Sequence, residues 1–355
     1  MDRLDLFCNT LFSGECALVL SDVSRSYLTS FSSSDGALLA TKDNAFLFLD
    51  SRYLEMAKIA KESGKISARI EIRPFPYSAF LQEMIAEKKV STILFEDREL
   101  TFYQVEELKK RFPGADFSLL GDRIEKMRMV KSKEEIAKLR ASQRLAEEAF
   151  SYILSRISPG RFEREIAAEL EFYLKKNGAT APSFDTICVS GQRSALPHGR
   201  PEGRIENNAF LTLDFGAVLD GYASDMTRTV CVGKATEEMK LVYDTVLLAQ
   251  REGISAVKAG VLGKDVDFAA RDVIEKAGFG QYFGHATGHG IGLVVHEAPS
   301  FSPRSEEVIP TGAVLSVEPG IYLPGKFGVR IEDLVVVTED GCENLNESPK
   351  NLMEL

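Results

Sequence analysis

Residues 210–230 read FLTLDFGAVLDGYASDMTRTV, and the fold follows from how this stretch pairs with itself. Apolar residues alternate on both sides of Asp220-Gly221, a dipeptide that favours the two-residue turn of a β-hairpin. With those two residues as the loop, Asp214 faces Thr227 and Asp225 faces Gly216. Side chains two apart on a strand share a face, so Asp214 and Asp225 are diagonal neighbours on one face, roughly 7–8 Å apart at Cα. Two like charges held that close call for a cation. By itself such a pair is more simply read as two solvated acids, but three further clusters shift the balance.

The four histidines, His198, His285, His289 and His296, all lie in the C-terminal half. The segment GHATGHGIGL (284–293) is not GxGxxG, so it gives no dinucleotide turn, and its glycines disfavour the helix that a His-x3-His zinc pair needs. They are read instead as letting the backbone approach a substrate closely. LSVEPG (315–320) puts Glu318 at a strand end, and GVRIED (328–333) puts Glu332 within a strand, with Arg330 on the same face. Both acids lie in apolar runs, where an unpaired carboxylate is costly to bury and a metal would satisfy it. Two aspartates, two glutamates and one histidine form an oxygen-rich set suited to Mn²⁺, Co²⁺, Fe²⁺ or Zn²⁺, and four carboxylates suffice to bridge two ions. A dinuclear site activates water and stabilises the oxyanion of amide hydrolysis.

At 355 residues the chain has room for two domains. Its net charge of −10 argues against nucleic acid as a partner. Five scattered cysteines (Cys8, Cys16, Cys188, Cys231, Cys342) without CxxC spacing indicate neither a disulfide framework nor a zinc knuckle, and fit a reducing cytoplasm. Neither a leader nor a membrane span is expected. The first part alternates predicted strands (17–20, 37–40, 45–49, 70–72, 92–95) with predicted helices (53–62, 79–88, 102–112). It contains no phosphate loop, and a structural or oligomerising role is assigned to it. A charged run at 121–133 marks the boundary. A capping box at Ser132 and Glu135 then opens a helix with an apolar stripe from Ile136 to Ile157. A helix at 163–176, a strand at 187–189 and the hairpin follow. The same order returns in helices at 236–258 and 266–277 and strands at 314–318 and 329–337. Two helix–helix–sheet halves result, with the acidic clusters between them.

Five motifs, LDFGAVLDGYASDMTRT, HATGHGIGLVVHEAP, SVEPGIY and GVRIED with SALPHG before them, resemble the pita-bread metallopeptidases, specifically the Xaa-Pro aminopeptidase and prolidase branch. YLTSF (27–31) and DSRY (50–53) resemble segments of that branch's small N-terminal domain, so the resemblance spans the chain. It implies an α+β protein, with a smaller N-terminal creatinase-like α/β domain at 1–125 and a pita-bread catalytic domain at 126–355. It implies Asp214, Asp225, His289, Glu318 and Glu332 as ligands of two divalent metal ions, Mn²⁺ first and Co²⁺, Zn²⁺ or Fe²⁺ as alternatives, with Asp225 and Glu332 bridging. His198, His285 and His296 match outer and substrate-contacting histidines of the family, and Arg330 matches an arginine supporting the site. Methionine aminopeptidases share the D-x10-D and H-x6-H spacings, but usually lack the long N-terminal domain and separate their two glutamates more widely. Creatinase and histone-chaperone relatives keep the fold without the metal ligands.

The implied activity is hydrolysis of the bond before proline at a peptide N-terminus. Metal-bound hydroxide is the nucleophile, Glu318 the proton shuttle, and His296 with His198 the stabilisers of substrate and intermediate. A dipeptidase must also read a free carboxylate. Some prolidases place an arginine directly after the proline of His-Glu-x-Pro, where this chain has Ser300, with Arg304 four residues on. The expectation is therefore an Xaa-Pro aminopeptidase acting on proline-containing peptides as a homodimer, with prolidase as the alternative. A metal-free peptide-binding module and a cysteine hydrolase using Cys188 and His198 are the remaining readings. The apolar run around Cys188 disfavours the latter.

Overall fold

In the N-terminal part the alternating apolar runs become one mixed sheet flanked by helices, seen in a computed structural model that describes residues 2–355. The order is α1 (Arg3–Cys8), β1 (Glu15–Val19), α2 (Asp22–Thr29), β2 (Ala37–Ala40), β3 (Ala45–Leu49), α3 (Ser51–Glu62), β4 (Ile70–Pro74), α4 (Ser78–Ala86), β5 (Thr92–Phe95), α5 (Phe102–Arg111), β6 (Asp116–Leu119) and α6 (Arg123–Met129). The strands lie in the order β4-β3-β2-β1-β5-β6. β2 and β3, joined by a short turn, are antiparallel, and so are β1 and β2, although α2 lies between them; the pairs β1–β5, β3–β4 and β5–β6 are parallel, each joined by a crossover long enough to hold a helix. Leu18, Leu39, Phe48 and Ile93 pack against Leu81 and Phe112 to form this unit's core. Four short elements escape the sequence reading: α1, α2, β6 and α6. Part of the charged run that marks the boundary is itself helical, with Ile124 giving it one buried face. The chain divides into two compact units within that helix, between Arg128 and Met129.

The second unit opens with α7 (Lys133–Leu154), whose capping box at Ser132 and Glu135 is formed in full. There follow α8 (Glu163–Lys176), β7 (Ala181–Pro182), β8 (Ile187–Ser190) and the hairpin β9 (Ala209–Phe215), β10 (Ala217–Leu219), β11 (Tyr222–Ala223), β12 (Met226–Val232). Its register is the expected one: Asp214 opposes Thr227 and Val218 opposes Ala223. Asp220 and Gly221 both have positive φ, 49° and 79°, as a turn matched to the strand twist requires. The hairpin is nevertheless broken at Gly216, where an added Cβ would lie 1.8 Å from the Ser224 carbonyl oxygen. Beyond that pinch the arms belong to two sheets, β12-β9-β8 and β11-β10-β7.

The second half repeats the element order with α9 (Glu237–Ala256), α10 (Gly263–Lys276), β13 (Gly288–Gly290), β14 (Glu297–Phe301), β15 (Val314–Val317), β16 (Gly320–Leu323), β17 (Phe327–Arg330), β18 (Asp333–Val337) and β19 (Cys342–Asn344). The run expected to be one strand at 329–337 is two. β17 pairs with β16, whereas β18 lies between β15 and β19, and the chain changes sheet at Ile331-Glu332. The two halves join where the Glu332 N–H donates to the Thr227 carbonyl at 3.1 Å. Among the described residues no helix is long and apolar enough to cross a membrane.

Candidate metal centre

The five residues with metal-ligand chemistry come from both halves. Asp214 lies on β9, Asp225 just before β12, His289 at the centre of β13, Glu318 just past β15, and Glu332 at the break between β17 and β18. That break corrects the expectation of Glu332 inside a strand, and it frees the side chain from the alternation of either sheet. Asp214, Asp225 and Glu332 are only 8%, 5% and 1% exposed. Ligand atoms of Asp225, His289 and Glu332 all lie within 4.8 Å of one another. His289 Nε2 is 3.2 Å from Glu318 Oε1 and 3.6 Å from Asp225 Oδ2.

So much negative charge in one buried place is held uneasily. Burial first, then repulsion from neighbouring carboxylates, pushes Asp225 and Glu332 well above the usual carboxyl range. Burial also raises Asp214, against the pull of Arg330. Burial works upward on Glu318 too, but its hydrogen bond and charge interaction with His289 bring it down to about 2. Asp214 Oδ1 and Glu332 Oε1 are buried and have no hydrogen-bond partner. Buried polar atoms are rarely left so, and orphaned carboxylate oxygens converging beside an imidazole fit a divalent cation.

A hydrogen-bonded frame fixes these groups. Arg330 donates to Asp214 Oδ2, to Tyr322 Oη at 2.7 Å, to Thr227 Oγ1 at 3.0 Å and to the Pro197 carbonyl at 3.2 Å. Thr227 passes the connection on, donating to Glu332 Oε2 at 2.8 Å. Ser316 accepts from the His289 N–H and donates to Glu318 Oε1, both at 3.0 Å. The buried Gln143 accepts from the Asp225 N–H at 3.2 Å. His285 has both ring nitrogens engaged, Nδ1 with the Ala286 carbonyl at 2.8 Å and Nε2 with Tyr322 Oη at 2.9 Å. A carbonyl only accepts, so Nδ1 carries the hydrogen and Nε2 accepts from the tyrosine. Burial, which lowers the pKa of His285, favours that neutral ring.

The cluster forms the floor of a cavity of about 1040 Å³ in the second unit. His198 and His296 also line it, and the rings of His289 and His296 meet edge to face at 4.2 Å between centroids. Two sequence readings are refined here and a third is upheld. Gly288 lines the cavity, and the glycines around His289 also serve strand packing: a Cβ on Gly288 would lie 1.9 Å from the Ser316 carbonyl oxygen, and one on Gly290 2.6 Å from that of Ala298. Ser300 lines the cavity and Arg304 does not. Cys188 is fully buried on β8 and burial pushes its thiol pKa up, in keeping with the expectation that it is no nucleophile. Several lining residues give no signal in the sequence, among them Glu171, Asp185 and Arg200. Arg200 follows His198 by two positions, with nothing local to distinguish it from a solvated arginine.

Comparison with known proteins agrees with this geometry. Residues 137–339 match metallopeptidase family M24, and residues 14–130 match the creatinase/prolidase N-terminal domain. The Xaa-Pro dipeptidase of Pyrococcus furiosus is 37% identical over 319 residues, which cover 90% of this chain and 89% of that protein. Among solved structures, an Xaa-Pro dipeptidase from Bacillus anthracis superposes with a TM-score of 0.93 at 40% identity, covering 99% of this chain and 98% of its own. An X-Pro aminopeptidase from Thermotoga maritima gives 0.91 at 36% identity, with both chains covered in full. The likeness runs through both units and through the cavity that holds the acidic cluster, and on these grounds the chain belongs to metallopeptidase family M24, in the pita-bread, Xaa-Pro branch that carries a creatinase/prolidase N-terminal domain.

Proposed function

We propose that this chain hydrolyses the peptide bond before proline and that Xaa-Pro dipeptides are its preferred substrates. The observation that carries this reading is the convergence of four carboxylates and one histidine on a cavity floor, in a chain that matches Xaa-Pro dipeptidases end to end. The expectation of an aminopeptidase rested on Ser300 standing where some prolidases carry arginine, and the relatives favour the dipeptidase alternative. Ser300, together with the likeness to the Thermotoga maritima X-Pro aminopeptidase, supports cleavage of longer Xaa-Pro peptides as the second reading.

In this reading Asp214, Asp225, His289, Glu318 and Glu332 would hold two divalent ions. The oxygen-rich donor set supports Mn²⁺ ahead of Co²⁺, Zn²⁺ or Fe²⁺. When bound, the ions polarise the scissile carbonyl and make water a competent nucleophile near neutral pH. Glu318, ionised beside His289, takes the proton of the attacking water and hands it to the proline nitrogen. That nitrogen bears no hydrogen in the peptide and leaves as a secondary amine only once protonated. His296 and His198 present ring N–H groups to the carbonyl oxygen as it gains charge. His285 positions Tyr322 and Arg330 instead of touching substrate, since both its nitrogens are committed. A homodimer is supported by the exposed Phe102 and Tyr103 of the N-terminal unit, and a reducing cytoplasm by five unpaired cysteines.

Turnover of Xaa-Pro dipeptides against Xaa-Pro-Yaa tripeptides, with Mn²⁺, Co²⁺ and Zn²⁺ in turn, tests the reading. At least about tenfold higher kcat/KM for dipeptides is expected. Tripeptides cleaved equally well or better would return the assignment to an aminopeptidase, and no turnover of either with any metal would sink both.

A further inference from the structure

Two arginines and no lysine line the cavity. Arg330 is fully engaged with Asp214, Tyr322, Thr227 and the Pro197 carbonyl. Arg200 is exposed, and its guanidinium has no hydrogen bond or ion pair among the described residues. It also borders a shallower recess beside the main cavity, so it stands on the rim between the two.

The backbone behind this free side chain is held firmly. The buried Glu163 carboxylate accepts from the N–H groups of Ser190 at 2.7 Å and Gly203 at 2.6 Å, and pairs with Arg193 at 3.3 Å. Arg193 in turn donates to the Arg200 carbonyl. Gly199 packs so tightly that a Cβ there would lie 2.8 Å from Val189. Pro197 and Pro201 restrict the backbone on either side. The turn is thus preorganised, and it carries His198 and Arg200 into the same cavity.

An Xaa-Pro dipeptide ends in a carboxylate on the leaving proline. An unpaired carboxylate is costly to bury, Glu171 and Asp185 add negative charge to the cavity lining beyond the four proposed ligands, and a guanidinium meets a carboxylate with two parallel hydrogen bonds. We propose that Arg200 reads the C-terminal carboxylate of the dipeptide and is the specificity-determining residue of this site, an inference that rests on the Xaa-Pro dipeptidase reading above. The charge that some prolidases supply from the position of Ser300 is supplied here from the 197–201 turn.

The test compares the Mn²⁺-loaded wild type with Arg200→Ala, Arg200→Gln and Arg200→Lys on three substrates: Ala-Pro, its C-terminal amide Ala-Pro-NH2, and an Ala-Pro-Yaa tripeptide. Arg200→Ala and Arg200→Gln are expected to lower kcat/KM for Ala-Pro by about tenfold or more, chiefly through KM, while the amide changes by less than about twofold. Arg200→Lys should recover part of the loss. Equal loss on acid and amide would mark damage to the turn and overturn the inference, as would no loss on either or a loss confined to the tripeptide. A wild type that cleaves Ala-Pro but does not distinguish it from the amide overturns the role of Arg200 and leaves the Xaa-Pro reading standing. A wild type inactive on all three overturns both.

Discussion

Asp225 and Glu332 are carboxyls that burial and repulsion from neighbouring carboxylates hold well above their ordinary range, while His289 draws Glu318 down to about 2. A buried group of this kind is stable only when a counter-charge meets it, so the proposed ligands and the proposed cavity groups should respond differently to mutation. Asp225→Asn or Glu332→Gln should remove most bound metal, as read by elemental analysis, and chelation should abolish activity. Full activity of metal-free protein would refute the assignment. His296 touches the His289 ring but is exposed to the cavity. His296→Ala should leave metal content near wild type and lower turnover by roughly 10²-fold or more, as for the loss of one transition-state hydrogen bond. Joint loss of metal and activity would mean that His289 and His296 need exchanging.

Much of the element order was legible because the hairpin signals are local: alternation fixes the faces, and Asp220-Gly221 fixes the register. From that register alone Asp214 and Asp225 were placed together. What was not legible depends on distant partners. The run from Phe327 to Val337 is continuously buried, so nothing in it announces a change of sheet. The change is fixed by β16 on one side and β15 on the other. The packing role of the glycines beside His289 is hidden for the same reason, their neighbours being carbonyls from other strands. Arg200 gave no signal because a free arginine looks the same in sequence whether it faces solvent or a cavity. Gly216 offers a test at this scale. A methyl group there meets the Ser224 backbone, which cannot swing aside as a side chain can. Gly216→Ala should cost about 3 kcal/mol by denaturant unfolding, the upper end of ordinary overpacking, and should lower metal content by displacing Asp225. An unchanged midpoint with full metal would show that the hairpin relaxes around the added carbon.

For the molecule as a whole, the proposed homodimer predicts a sedimentation mass about twice the 39.2 kDa of one chain, and a mass near a single chain would refute it. Another feature concerns how the intact fold avoids unwanted association. β12, which follows Asp225, is the last strand of its sheet, with β9 on one side only. Its other side is closed by backbone from far along the chain: Glu332 near its start, and residues 353–355 near its end, through the bonds of Cys231 to Met353 at 2.8 Å and of Leu355 to Cys231 at 2.9 Å. Lys350 ties the same tail to the buried Asp333. An uncovered strand edge is a template for strands of other molecules. Residues 353–355 thus cover an edge of β12 that strands of other molecules could otherwise join, and a change that pulls them off β12 should lower solubility.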